Sequence, residues 1–270
     1  MACPDPCTPA GLALLEDMVR GVAEREIMPR FGVSGSHVKD DGSLVTAADT
    51  AVQEALLAQL KVLWPDLTLM GEEMGEAEQY ASLGSGHGTW CLDPLDGTTN
   101  FVNGLPFFAV SLALLQGGEP VVGLVYDPSR RECFSALARH GAWLNGTPLQ
   151  RPARIPALRR CVALVDFKRL RGRLPGRLGV DPPYGSQRSY GSCALDWCWI
   201  AAGRAHLYLH GGQKLWDYAA GSLILREAGG IARTLEGDFL TYERLGPSSA
   251  VAALTDDLYE AWQAWIVHNA

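Results

Sequence analysis

The stretch Trp90-Cys91-Leu92-Asp93-Pro94-Leu95-Asp96-Gly97-Thr98-Thr99-Asn100-Phe101 decides how this chain is read. Trp90 to Leu92 form the short apolar run of a buried strand, which leads straight into Asp93. A second carboxylate follows at Asp96, with Pro94 between the two. Pro94 fixes one backbone angle, and Gly97 allows the chain to turn tightly. Such a turn can aim both carboxylates and the Leu95 carbonyl at one point, and hard cations such as Mg²⁺ take oxygen ligands of this kind. The amides of Gly97 and Thr98 are then free to face a phosphate. The plainer reading is a pair of turn signals, Asp-Pro and Asp-Gly. On this stretch alone both readings stand.

Three further stretches bear on the choice. Gly71-Glu72-Glu73 follows a strand end and brings more carboxylates. Trp216-Asp217-Tyr218-Ala219-Ala220-Gly221 puts an aspartate at a helix start among small residues that allow close packing. The segment 39–49 joins Lys39 to a helix start at Thr46 and Asp49. Each has a structural alternative: Glu72 as a solvated loop residue, Asp217 as a helix N-cap, Thr46 and Asp49 as a capping box.

Outward from these motifs, Thr8 and Pro9 open a helix whose apolar residues Leu12, Leu15, Val19, Val22 and Ile27 keep helical spacing. Val52, Leu56, Leu60 and Leu63 mark a second helix, stopped by Pro65. Residues 67–70 read as a buried strand, and the polar, glycine-bearing segment 72–88 as a surface loop. Strands are expected at 107–115, 121–126 and 133–138 in one antiparallel sheet. After Pro156 come a strand at 162–165, a basic segment at 168–177 and a helix over 194–202. An extended run at 206–209, a helix over 219–228 ended by Gly229-Gly230, and a last helix capped by Thr255 follow. Strands in both halves with helices between them imply a layered α/β or α+β body, with lobes 1–150 and 151–270.

The chain has 270 residues, 47% hydrophobic and 20% charged, as a folded globular protein does. No apolar run approaches the roughly 20 residues of a membrane span, and no basic-then-apolar leader opens the chain. Seven scattered cysteines without a Cys-x-x-Cys pair argue against a disulfide framework or zinc site and for a reducing cytoplasm. A net charge of −7 argues against a nucleic acid polymer as partner. An acidic protein that handles anions needs local positive charge, and bound metal is the usual source. Patterns for a Walker loop, a Gly-x-Ser-x-Gly elbow and a His-Glu-x-x-His helix are absent from the sequence.

These segments in this order, from about Lys39 to Gly230, resemble the inositol monophosphatase family. The resemblance implies an α-β-α-β-α sandwich, usually dimeric, requiring Mg²⁺ and typically inhibited by Li⁺. It matches Glu72, Asp93 and the Leu95 carbonyl to ligands of a first ion, and Asp93, Asp96 and Asp217 to those of a second. Glu72 would also help hold a weaker third ion. Thr98 and Glu72 would orient the attacking water with Asp49 behind Thr98, and the Gly97 and Thr98 amides would bind phosphate. Ser192 and Cys193, with Gly191, lie where the second lobe meets the substrate. In inositol-cleaving members the position seven residues before the last metal aspartate is usually an acid that touches ring hydroxyls. Here it is His210, either a surface histidine at a strand end or a substrate contact of different chemistry.

The expected activity is therefore Mg-dependent hydrolysis of a small phosphorylated polyol. The Lys39 stretch leans toward relatives that act on nucleotide bisphosphates or histidinol phosphate. A fructose-1,6-bisphosphatase-like activity is a further alternative. Arg188 and the segment 168–177 could reach a second phosphate or simply be solvated. From another class, the chain could be a binding or regulatory protein that keeps the fold without turnover.

Overall fold

The computed structural model describes residues 3–33, 35–39 and 44–270. Residues 40–43 of the Lys39 stretch thus lie outside the described residues. Helix α1 (Pro9–Glu26) starts as its sequence implies: the Thr8 hydroxyl accepts the Gly11 N–H, and proline follows at the first position. A hairpin of β1 (Ser36–Val38) and β2 (Leu44–Thr46) runs into α2 (Ala47–Leu63), which Thr46 and Asp49 cap reciprocally.

Seven strands form the first sheet in chain order: β3 (Thr68–Gly71), β4 (Thr89–Asp96), β5 (Ala109–Gln116), β6 (Glu119–Asp127), β7 (Glu132–Leu137), β8 (Gly141–Leu144) and β9 (Thr147–Pro148). All neighbours are antiparallel except β3 and β4. A parallel pair requires a crossover, and it holds α3 (Glu76–Leu83). The segment 72–88 is therefore not a plain loop as its sequence suggested. Only Gln79 of α3 is buried, so there was no apolar period to read. Its amide donates to the Gly71 carbonyl at 2.9 Å and pins the helix to the strand end.

After the short α4 (Thr98–Val102), the later half supplies β10 (Val162–Asp166), α5 (Leu174–Val180), β11 (Ser186–Arg188), α6 (Cys193–Ala201) and β12 (Leu207–Gln213). Then come α7 (Leu215–Glu227), β13 (Ile231–Arg233), β14 (Ser248–Ala253) and α8 (Asp256–Asn269). The second sheet has the order β11-β10-β12-β14-β13, its first three strands parallel.

Three apolar clusters hold five layers together. Leu15, Val19, Val52 and Leu56 of α1 and α2 pack on Trp90, Leu92 and Leu112 of the first sheet. Cys91, Ala113 and Val125 face the other way, onto Trp197, Leu223 and Ile224 of α6 and α7, which lie between the sheets. The alternation along β4 and β5 is the period of two expected when both sheet faces are buried. Leu258, Trp262 and Ile266 of α8 close the outer face of the second sheet over Leu209 and Val251. Each such side chain contributes about 2 kcal/mol by leaving water. The layers are α-β-α-β-α. Every strand of the first sheet precedes residue 149 and every strand of the second follows residue 161, yet α6 and α7 come from the later half. No described helix is long and apolar enough to cross a membrane.

Candidate metal and phosphate site

Strand β4 loses its regular pairing with β5 between Asp93 and Asp96, around Pro94, which has no N–H to give. Asp93 is 2% exposed, and its Oδ1 accepts the Leu95 N–H at 3.0 Å. Gly97 then takes φ +89°, where only glycine is comfortable. A Cβ there would also press on the carbonyls of Phe107 and Gly191. The turn ends in α4, with Thr98 as its first residue. The Thr98 hydroxyl donates to the Leu95 carbonyl at 3.0 Å and lies 3.4 Å from Asp49 Oδ1. Asp49 caps α2, its Oδ2 accepting the Thr46 N–H and hydroxyl, while its other oxygen faces Thr98.

Asp96 turns from the strand toward the later half. It accepts the Ser192 hydroxyl at 2.5 Å, the Ala194 N–H at 2.7 Å and the Cys193 N–H at 3.3 Å. Ser192 is the N-cap of α6, so Asp96 sits on the positive end of that helix. Asp217 lies in the first turn of α7, its Oδ2 accepting the Lys214 N–H at 2.7 Å. The small residues beside it act as the sequence suggested: a Cβ on Gly221 would overlap Trp197 of α6. Glu72 follows β3, its N–H bonded to the Leu92 carbonyl. Its carboxylate and that of Glu73 hold the Lys39 ammonium at 2.8 and 2.5 Å.

The electrostatics group these acids. Burial raises the Asp93 pKa well above the usual aspartate range, and the charges of Glu72, Asp96 and Asp217 push it further. Burial, then Asp96 and Glu72, does the same to Asp217. Burial carries Asp96 up to about 6 against the hydrogen bonds from Ser192, Ala194 and Cys193 that oppose it. Burial also raises Asp49, despite its bonds to Thr46. Burial works to lower the Lys39 pKa, but Glu72 and Glu73 outweigh it and hold it above the ordinary lysine value. Two carboxylates 4 Å apart repel by about 4 kcal/mol at an effective dielectric of 20, so such a cluster calls for a cation. The donors are all oxygen, which suits Mg²⁺. Among the described residues, however, no three His, Cys, Asp or Glu side chains are drawn together closely enough to hold an ion as they stand. Lys39 occupies Glu72, and the end of α6 occupies Asp96.

His210 is 4% exposed, which removes the surface reading of it and leaves the other open. Its ring nitrogen Nε2 lies 3.0 Å from Asp166 Oδ2 and 3.5 Å from the Cys193 sulfur. Arg188 folds onto Ser186 and the Gln187 carbonyl. No motif in the sequence marks Asp166, and Glu73 is marked only as one of the carboxylates of Gly71-Glu72-Glu73. Aligning the expected strands 162–165 and 206–209 in parallel would have set residue 166 against His210.

Residues 13–269 match the model of the inositol monophosphatase family. A Pasteurella multocida protein named Nus factor SuhB is 40% identical over 209 residues, covering 74% of this chain and 75% of its own. An inositol monophosphatase of Mesembryanthemum crystallinum is 37% identical over 234 residues, 83% of this chain and 85% of its own. The solved structure of the extragenic suppressor protein SuhB from Bartonella henselae superposes with a TM-score of 0.82 at 28% identity, covering 95% of this chain and 98% of that one.

Proposed function

The chain belongs to the inositol monophosphatase family, and from that premise we propose a magnesium-dependent phosphomonoesterase that hydrolyses a small polyol phosphate with an activated water. The observation that carries this reading is Asp93: buried, without a cationic hydrogen-bond partner among the described residues, and within the fields of Glu72, Asp96 and Asp217 at once. Glu72, Asp93, the Leu95 carbonyl, Asp96 and Asp217 would hold the ions. Magnesium, when bound, supplies acidity to a water and positive charge opposite the phosphoryl oxygens.

The chain's own residues do the rest. The Gly97 and Thr98 amides, at the start of α4, offer donors to phosphate. If the Thr98 hydroxyl gives its hydrogen to Asp49, its lone pairs are left to orient a water, and Glu72 can accept that water's proton. No covalent phosphoenzyme is required. Ser192, Cys193 and His210 would border the alcohol. We place the protein in a reducing cytoplasm, consistent with seven free thiols, and take it to be a homodimer inhibited by Li⁺.

The test is phosphate release from inositol phosphates, sugar phosphates, nucleotide bisphosphates and histidinol phosphate, with Mg²⁺ or EDTA, on the native protein and Asp93→Asn. Metal-dependent release lost in Asp93→Asn is expected. No release from any ester, with Mg²⁺ still raising the melting temperature, would leave a binding protein instead. A second reading, a role as a Nus factor, is favoured by the 40% identity to the Pasteurella multocida protein of that name. Such a role would survive Asp93→Asn.

A further inference from the structure

Asp166 ends β10 directly opposite His210 in the parallel strand β12. The Gly212 N–H donates to His210 Nδ1 at 3.1 Å. That leaves Nδ1 an acceptor and puts the ring proton on Nε2, which donates to Asp166 Oδ2 at 3.0 Å. The other oxygen, Oδ1, accepts the Lys168 N–H at 2.9 Å. A bulge between His210 and Gln213 lets Gly212 turn back onto the ring. Gly211 has no side chain to keep the neighbouring turn away: a Cβ there would overlap the Arg169 carbonyl. The Asp166 carboxylate is therefore fixed from two sides, yet its side chain stays 30% exposed.

The pair adjoins the metal carboxylates through Cys193. The Cys193 N–H donates to Asp96 and its sulfur touches His210, so one residue separates Asp96 from the His210–Asp166 pair. Arg169 lies within electrostatic reach of both Asp166 and Asp217. It is exposed at this end of the site.

We propose that Asp166 determines specificity for the leaving alcohol by accepting hydrogen bonds from two neighbouring hydroxyls of the substrate, and that His210 positions it. This rests on the phosphomonoesterase reading. Each Asp166 oxygen spends one acceptor site inside the protein and keeps another for the ligand. The Arg169 charge within reach of Asp166 opposes an ammonium group there, and hydroxyls are the donors that remain. Neighbouring hydroxyls occur on a cyclitol and on a ribose, and a site built to bond them discriminates against an alcohol that lacks them.

Steady-state kinetics with Mg²⁺ on the native protein, Asp166→Asn, Asp166→Glu and His210→Gln test this. The substrates are inositol 1-phosphate, adenosine 5′-phosphate and phenyl phosphate, the last without alcohol hydroxyls. The preference for a hydroxylated ester over phenyl phosphate, as a ratio of kcat/KM, should fall about tenfold or more in Asp166→Asn, through KM. His210→Gln should lose less, and Asp166→Glu should recover part of the loss. The ester whose preference collapses identifies cyclitol or ribose. An unchanged ratio in Asp166→Asn, in a protein that still turns over, overturns the proposal and leaves the phosphatase reading standing. Equal losses on all three esters also overturn it, since they mark a purely structural residue. A native protein that hydrolyses none of them overturns the proposal, and one that releases phosphate from no ester of the wider panel overturns both.

Discussion

The Ser111 hydroxyl donates to the Trp216 carbonyl at 3.0 Å. Ser111 stands opposite Asp93 in the β4–β5 ladder, and Trp216 directly precedes Asp217. One hydrogen bond thus ties β5, the ladder partner of the strand that carries two of the acids, to the helix that carries another. Removing it in Ser111→Ala costs about 1 kcal/mol. The half-saturating Mg²⁺ concentration should rise about threefold to tenfold, and the melting temperature should drop by about 2–4 °C. Phosphate release against Mg²⁺ concentration measures the first effect. An unmoved Mg²⁺ requirement would mean that packing of α7 alone places Asp217.

The raised carboxylates give the metal-stripped protein an inverted pH dependence. A folded Asp96 with pKa about 6 keeps a proton that the unfolded chain has already released above the ordinary value of 3.8. Folding is therefore favoured in mild acid, and that contribution is lost as pH rises through about 6. Asp93 and Asp217, which burial and the neighbouring acids also raise, act with the same sign. In EDTA, melting should be higher at pH 5 than at pH 7.5, and Mg²⁺ should narrow or reverse the gap. Asp93→Asn should flatten the slope and stabilise the stripped protein at pH 7.5. A stripped protein that melts highest at neutral pH would contradict the mutual repulsion of these acids.

The parts of this architecture legible in the chain are those with local signals. Thr8 with Pro9, and Thr46 with Asp49, announce their helices because a cap bonds only to its own first turn. The turn from Asp93 to Gly97 is legible for the same reason. Helix α3 is not, because one buried polar residue gives no period. His210 is not either: its burial and its bond to Asp166 come from a strand pairing between distant segments. Lys39 reaches Glu72 and Glu73 only once β3 and the segment before α2 have come together, and nothing in its neighbours foretells which acids it meets.

Gly97 is held in a conformation that L side chains rarely adopt, between two carbonyls from separate segments. Gly97→Ala adds strain of about 1–3 kcal/mol and pushes the Gly191 carbonyl away from the turn. The Ser192–Asp96 contact one residue on should loosen with it. Melting should fall by several degrees, and KM for the phosphate ester should rise more than kcat falls. Alanine without loss of stability would show that the turn relaxes freely.

Asp49 is the sharpest case, because it serves a helix and a hydroxyl at once. One oxygen takes the Thr46 N–H and hydroxyl at 2.8 and 2.6 Å; the other lies 3.4 Å from Thr98 Oγ1. Thr98 now gives its hydrogen to the Leu95 carbonyl. If that carbonyl faces a cation, Asp49 is the acceptor that remains. In Asp49→Asn the amide oxygen can keep the Thr46 bonds while the NH₂ group faces Thr98 and cannot accept from it. The helix should lose only about 1 kcal/mol, and Mg²⁺ affinity should stay within about threefold, since Asp49 is not among the proposed ligands. Turnover should nevertheless fall about tenfold or more, less than the roughly hundredfold or greater loss of a group that transfers the proton itself. Comparing kcat, KM and the Mg²⁺ midpoint for this one variant separates the two roles. An intact kcat would reduce Asp49 to a helix cap and leave Thr98 without the partner assigned to it.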